Sequence, residues 1–147
     1  MSYLKRKADL TPSRLNFKVD DRPMLDTQIR GERRREDTVD IYALIGHQRQ
    51  TVITKEAARE SGWFAKMQPM LNTSIFSDEY PGYTLLGRIR EVPLTFTANG
   101  RRRTHITDLF VYETMGPGVT LVLGTRLMKR VGLTIKYSET AIDVTIT

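Results

Sequence analysis

Gly118-Val-Thr-Leu-Val-Leu-Gly-Thr-Arg-Leu-Met-Lys-Arg-Val-Gly132, continued by Leu133-Thr-Ile-Lys-Tyr-Ser-Glu-Thr-Ala-Ile-Asp-Val-Thr-Ile146, is the stretch whose reading decides the fold. Val119 to Leu123 is an apolar, β-branched run of the kind that forms a buried strand. Thr125 is placed to cap a short helix through its hydroxyl, and Gly132 to stop it, because glycine takes the left-handed conformation without a Cβ clash. Leu133–Tyr137 and Ala141–Ile146 then read as two strands, divided by Ser138-Glu139-Thr140.

Outward from this block, the same texture of short β-type runs extends back to Thr38. Val39–Ile45 is a strand with a loop at its end, Gly46-His47-Gln48. Thr51 to Gly62 is a second strand-to-helix segment, with Thr54 as N-cap and Gly62 as stop. Val92–Thr97 and Thr104–Tyr112, which ends in the apolar run Asp108–Tyr112, flank Asn99-Gly100, a dipeptide suited to a type I′ turn, and should pair antiparallel. Trp63-Phe64 reads as a core anchor rather than a base-stacking platform. Asn72 to Gly82 reads as a mobile excursion. Ile53-Thr54…Gly62 and Gly124-Thr125…Gly132 echo each other.

Taken in this order, the pieces resemble the retroviral-type aspartic proteases, the retropepsins. The resemblance implies a mostly β fold: a small closed barrel with one or two short helices, preceded by a flexible basic arm. It implies domain limits of 1–37 for the arm and 38–147 for the barrel, with residues 72–82 in the place of the flap. In that family the loop after the strand carries Asp-Thr/Ser-Gly, and two such aspartates share a proton to activate water. Gly46-His47-Gln48 supplies no carboxylate. Asp26-Thr27 and Asp37-Thr38 lack the glycine, and Asp40 enters its strand too early. The resemblance therefore implies a degenerate active-site loop and no catalytic residue. The resulting expectation is a non-enzymatic interaction or assembly protein on a retropepsin-like dimer scaffold, of viral or retroelement origin. Interleaved terminal strands, as in retropepsin dimers, would put Ile142, Val144 and Ile146 at a homodimer interface, because a terminal edge strand leaves backbone groups unpaired.

Charge supports a second reading. Lys and Arg number 23 against 17 acids in 147 residues. Lys5-Arg6-Lys7, Arg33-Arg34-Arg35 and Arg101-Arg102-Arg103 are the basic runs, and a nucleic-acid binder of viral or mobile-element type would use them on phosphates of RNA or DNA. Alternation along a strand puts Arg101 and Arg103 on one face and Arg102 on the other. A third reading is an enzyme with unrelated chemistry at His47; His105 fits better as an exposed strand residue. Two histidines and no cysteines argue against a zinc site, and no cofactor motif occurs. The absence of cysteine and of long apolar runs suggests a soluble, intracellular protein, cytoplasmic or nuclear, neither secreted nor membrane-bound.

Overall fold

The computed structural model describes residues 15–18, 23–70, 80–98 and 100–146. Six strands close into a barrel: β2 (Met24–Ile29), β3 (Val39–Ile45), β8 (Leu121–Leu123), β4 (Val52–Thr54), β7 (Arg101–Tyr112) and β6 (Leu85–Ala98), which returns to β2. A two-residue strand, β5 (Gln68–Pro69), pairs with the outer edge of β6. A separate sheet holds β1 (Leu15–Lys18), β10 (Ala141–Ile146) and β9 (Leu133–Tyr137), in that order. Helix α1 (Lys55–Glu60) follows β4, and α2 (Thr125–Val131) follows β8.

The barrel closes because each strand alternates. Leu25, Ile29, Ile41, Ala43, Leu94, Phe96, Leu109 and Val111 point inward and are essentially sealed from solvent. This apolar interior is the dominant stabilising term. On β6 the alternation slips by one residue at Arg90-Glu91, both exposed, where Ile89 faces Leu109 and Val92 already faces Thr107. This β-bulge lets one strand run from Leu85 to Ala98 where the sequence suggested only Val92–Thr97. Ala98 pairs with Arg101, and Gly100 lies at φ +76°, so the expected antiparallel pairing of these two strands is present.

The arm needs correcting in extent. Residues 24–29, placed in a flexible segment by the sequence, form barrel strand β2, paired to β3 from Met24↔Leu44 to Ile29↔Val39 and also to β6. Leu25 and Ile29 face the interior, and Thr27 is buried with its hydroxyl donating to the Leu25 carbonyl at 3.0 Å. Lys5-Arg6-Lys7 lies outside the described residues.

The C-terminal strand also needs correcting. β10 is not an edge: β1 pairs one side of it (Phe17↔Ile142) and β9 the other (Val144↔Ile135). Ile142, Val144 and Ile146 are buried within their own chain, the latter two in the main core. Their alternation was read correctly, but the face it builds packs on the barrel, so these side chains are not a surface for a second copy.

Thr54 caps α1 as expected, accepting from the Ala57 amide at 3.3 Å. Thr125 does not cap α2. It is the first helical residue, and Gly124 takes the cap position. Gly132 ends α2 in the left-handed region, as expected.

Candidate functional site

Two strand-to-helix crossings meet at one end of the barrel, and their interlock builds the site. β4 and β8 lie antiparallel, Val52 opposite Val122, so that the β4–α1 and β8–α2 units face each other in the arrangement the internal echo suggested. The loop after β3 is clasped against the start of α2. Gly46 donates its amide to the Leu123 carbonyl at 3.0 Å, and Thr125 donates to the Gln48 carbonyl at 2.8 Å. Gly124 donates to the buried hydroxyl of Thr51 at 3.0 Å. Loop carbonyls thus accept the first amides of α2, which is why no capping side chain is needed there.

Both glycines of this interlock are sterically enforced. A Cβ on Gly124 would fall 2.3 Å from the Arg49 carbonyl oxygen. A Cβ on Gly46 would fall 2.6 Å from Cγ1 of Val122 and 2.9 Å from the Leu123 carbonyl oxygen. As the backbone stands, no side chain fits at position 46.

Beside this loop lies a groove of about 650 Å³. It is lined by the loop Gly46-His47-Gln48, by Tyr80, Pro81 and Tyr83, by Met115, Val119 and Val122, and by Tyr137 and Ile142. Tyr80 meets the buried Tyr112 edge-on, with ring centroids 5.5 Å apart. None of the described residues lining the groove is a carboxylate. Pro69 on β5 pairs with Gly87 on β6, and the segment entering β6 brings Tyr80, Pro81 and Tyr83 to the groove. Residues 72–79 of the expected flap lie outside the described residues, and Tyr80 to Gly82 form its returning turn.

His47 and Gln48 are exposed on the loop. Asp26 and Thr27 sit in mid-strand on β2, Asp37 ends a short 3-10 turn, and Asp40 faces Gln28 in the β2–β3 pair; none lines the groove. Among the described residues, no three His, Asp or Glu side chains gather as metal ligands. No helix among them is long and apolar enough to cross a membrane.

The basic runs are not brought together. Arg33–Arg35 lies in the link after β2, where Arg30 bonds to Pro93, whereas Arg102 and Arg103 pair through Thr97 and Phe96 of β6 with the level of Asp26 and Thr27, nearer the start of β2. Arg33 pairs with Glu32 at 3.3 Å and Arg34 with Asp37 at 3.2 Å. The Asp37 carboxylate holds the Arg34 guanidinium above its ordinary pKa, through their hydrogen bond and then its charge. Arg101, Arg102 and Arg103 are exposed, and Arg102 reaches Gln28 at 3.1 Å. Trp63 is a tie, as expected: its indole nitrogen donates to the Arg30 carbonyl at 2.6 Å.

Sequence reasoning missed a second groove, of about 800 Å³, walled by α2, the β6 bulge and β7. Its signal was legible: Arg126, Lys129 and Arg130 recur at i, i+3 and i+4, one face of a helix.

No protein-family model matches the chain, and no curated protein does. Solved structures do. The retroviral protease-like domain of Ddi1 from Leishmania major superposes with a TM-score of 0.52 at 11% identity, covering 83% of this chain and 92% of that one. A retropepsin-like aspartic protease from Rickettsia conorii gives a TM-score of 0.51 at 14% identity, covering 90% of each chain. With a six-stranded closed barrel, two short helices and neighbours of this kind, the chain has the retropepsin-like fold.

Proposed function

We propose that this protein is a non-hydrolytic interaction module that holds an extended, apolar peptide segment in the groove beside Gly46-His47-Gln48. The observation that carries the reading is steric: position 46 admits no Cβ against Val122 and Leu123. A retropepsin needs an aspartate at the tip of this strand, and a second aspartate sharing its proton. Here the tip is glycine and, apart from the loop Gly46-His47-Gln48, the described lining is mostly aromatic and aliphatic. Such walls suit binding of alternate side chains of a strand-like ligand. Assembly as a homodimer belongs to the same proposal. Its edge would be β9, which has β10 on one side and no strand on the other among the described residues. Descent from a viral or retroelement protease fits the fold and completes the reading.

The test pairs a peptidase assay with a binding assay on one protein sample. A library of unstructured peptides is incubated at acid and neutral pH and read by mass spectrometry. The expected result is no cleavage, with retention of extended apolar peptides that weakens at least tenfold in Val119→Gln. Cleavage blocked by a transition-state analogue of aspartic proteases would overturn the reading. So would the absence of any retained peptide. Sedimentation should report a dimer at micromolar concentration; a monomeric mass would remove the assembly part.

A further inference from the structure

The larger groove shares no lining residue with the one beside Gly46 and is a separate cavity. Five cationic side chains, Arg49, Arg88, Arg126, Lys129 and Arg130, line it against two carboxylates, Glu91 and Asp108. One of those carboxylates is committed. Asp108 accepts from both Nε (3.0 Å) and Nη2 of Arg88, and from the Glu91 amide at 3.0 Å. The remaining positive charge is concentrated on α2, whose sequence Thr125–Val131 contains no acid.

Helix stability does not account for that arrangement. Lys129 and Arg130 in the last turn suit the helix dipole, but Arg126 stands in the first turn, where the dipole opposes a cation. Three exposed cations at i, i+3 and i+4 also repel one another. Arg130 is nonetheless held in place, donating to the Thr107 hydroxyl at 3.1 Å. The opposite wall carries the β6 bulge, where Glu91 adopts φ +57°, a left-handed conformation unusual for a side-chain-bearing residue. A strained bulge beside a charged groove is a feature found at binding sites.

On β7 the groove lining includes Ile106 and Asp108, and the exposed face of the strand runs on from there. Asp108, Ile106, Thr104 and Arg102 occupy the same face of that strand by alternation, leading from α2 toward the Arg101–Arg103 hairpin. Ile106 is 59% exposed in this row. A line of cations with an exposed apolar side chain between them matches a chain of phosphates carrying bases, better than a single small anion.

We propose that this groove binds single-stranded nucleic acid, with Arg126, Lys129 and Arg130 on phosphates and Ile106 against a base. The full chain is titrated into fluorescently labelled single-stranded oligouridylate, followed by anisotropy at several salt concentrations. Arg126→Gln combined with Lys129→Gln should weaken binding at least tenfold at low salt. It should also reduce the slope of log affinity against log salt by about 1.4, two phosphate contacts' worth for a single strand. Arg126→Lys, which keeps the charge, should bind within a fewfold of wild type. Ultraviolet cross-linking of the unmodified protein, mapped by mass spectrometry, should mark β7 and α2, and gives an answer even where a variant folds poorly. The proposal fails if the wild type does not bind the oligonucleotide, or if the double variant binds as well as wild type. It fails also if cross-links fall only on residues 1–37, or if polyglutamate competes as well as unlabelled oligonucleotide, which would make an acidic protein the occupant.

Discussion

Gly46 and Val122 are in such close register that the site of a Cβ on the first lies 2.6 Å from Cγ1 of the second. The collision involves Cβ itself, so its cost does not depend on what lies beyond. Gly46→Ala and Gly46→Asp should therefore lose similar stability, about 1–3 kcal/mol each, as expected for overpacking. Chemical denaturation measures this, and a Gly46→Asp protein as stable as wild type would show that the loop relaxes freely. Gly46→Asp alone should not produce peptidase activity.

The two threonines at helix starts should behave differently. Thr54→Ala removes a hydroxyl that accepts from the Ala57 amide and should cost about 1 kcal/mol. Thr125→Ala removes no cap, because the Gln48 and Arg49 carbonyls already accept the first amides of α2. Its effect on the thermal midpoint should be within error of zero.

Asp108 should contribute a pH dependence of stability. Partial burial opposes its ionisation, but hydrogen bonds from Arg88 and the Glu91 amide, with the charges of Arg88 and Arg90, hold its carboxyl below the ordinary value. A carboxylate with a lowered folded pKa adds stability above its unfolded pKa of about 3.9 and loses it as pH falls through the folded value. Wild type should therefore lose stability below about pH 4 more steeply than Asp108→Asn. Parallel pH profiles for the two proteins would contradict the assignment. Near neutral pH, Asp108→Ala should cost about 0.5–1.5 kcal/mol through loss of the hydrogen bonds from Arg88 and the exposed Glu91 amide, which water can in part replace.

Glu91→Gly should be neutral or stabilising by up to about 1 kcal/mol, since relief of the left-handed strain offsets glycine's larger unfolded entropy. Glu91→Val should destabilise by more than that, because β-branching worsens the same strain. Equal melting temperatures for the two would mean that the bulge is not strained.

A protein of residues 38–147 should not fold. It lacks β2, and with it Leu25 and Ile29 from the barrel interior and the strand that closes β3 onto β6. A cooperative thermal transition in this fragment, watched by circular dichroism, would restore the boundary at Thr38.

Local chemistry in the sequence was enough for the C-terminal block, the Asn99-Gly100 hairpin, the Thr54 cap and the stop at Gly132, because each depends on residues within a few positions of one another. Tertiary structure decided what depends on distant partners. Leu25 and Ile29 gave β2 too weak a pattern to be read, and only pairing with both β3 and β6 makes them core. The run Ile142, Val144, Ile146 alternates equally well at an edge or in mid-sheet, and β1 supplied the partner that removes the edge. Thr125 looked like a cap until the Gln48 and Arg49 carbonyls, far earlier in the chain, took that role. Arg126, Lys129 and Arg130 had a helical spacing from the start, but the wall they face, a bulge at Glu91 and a row on β7, comes from other strands. A pattern of period two or 3.6 says which side chains share a face; only the closed barrel says what that face meets.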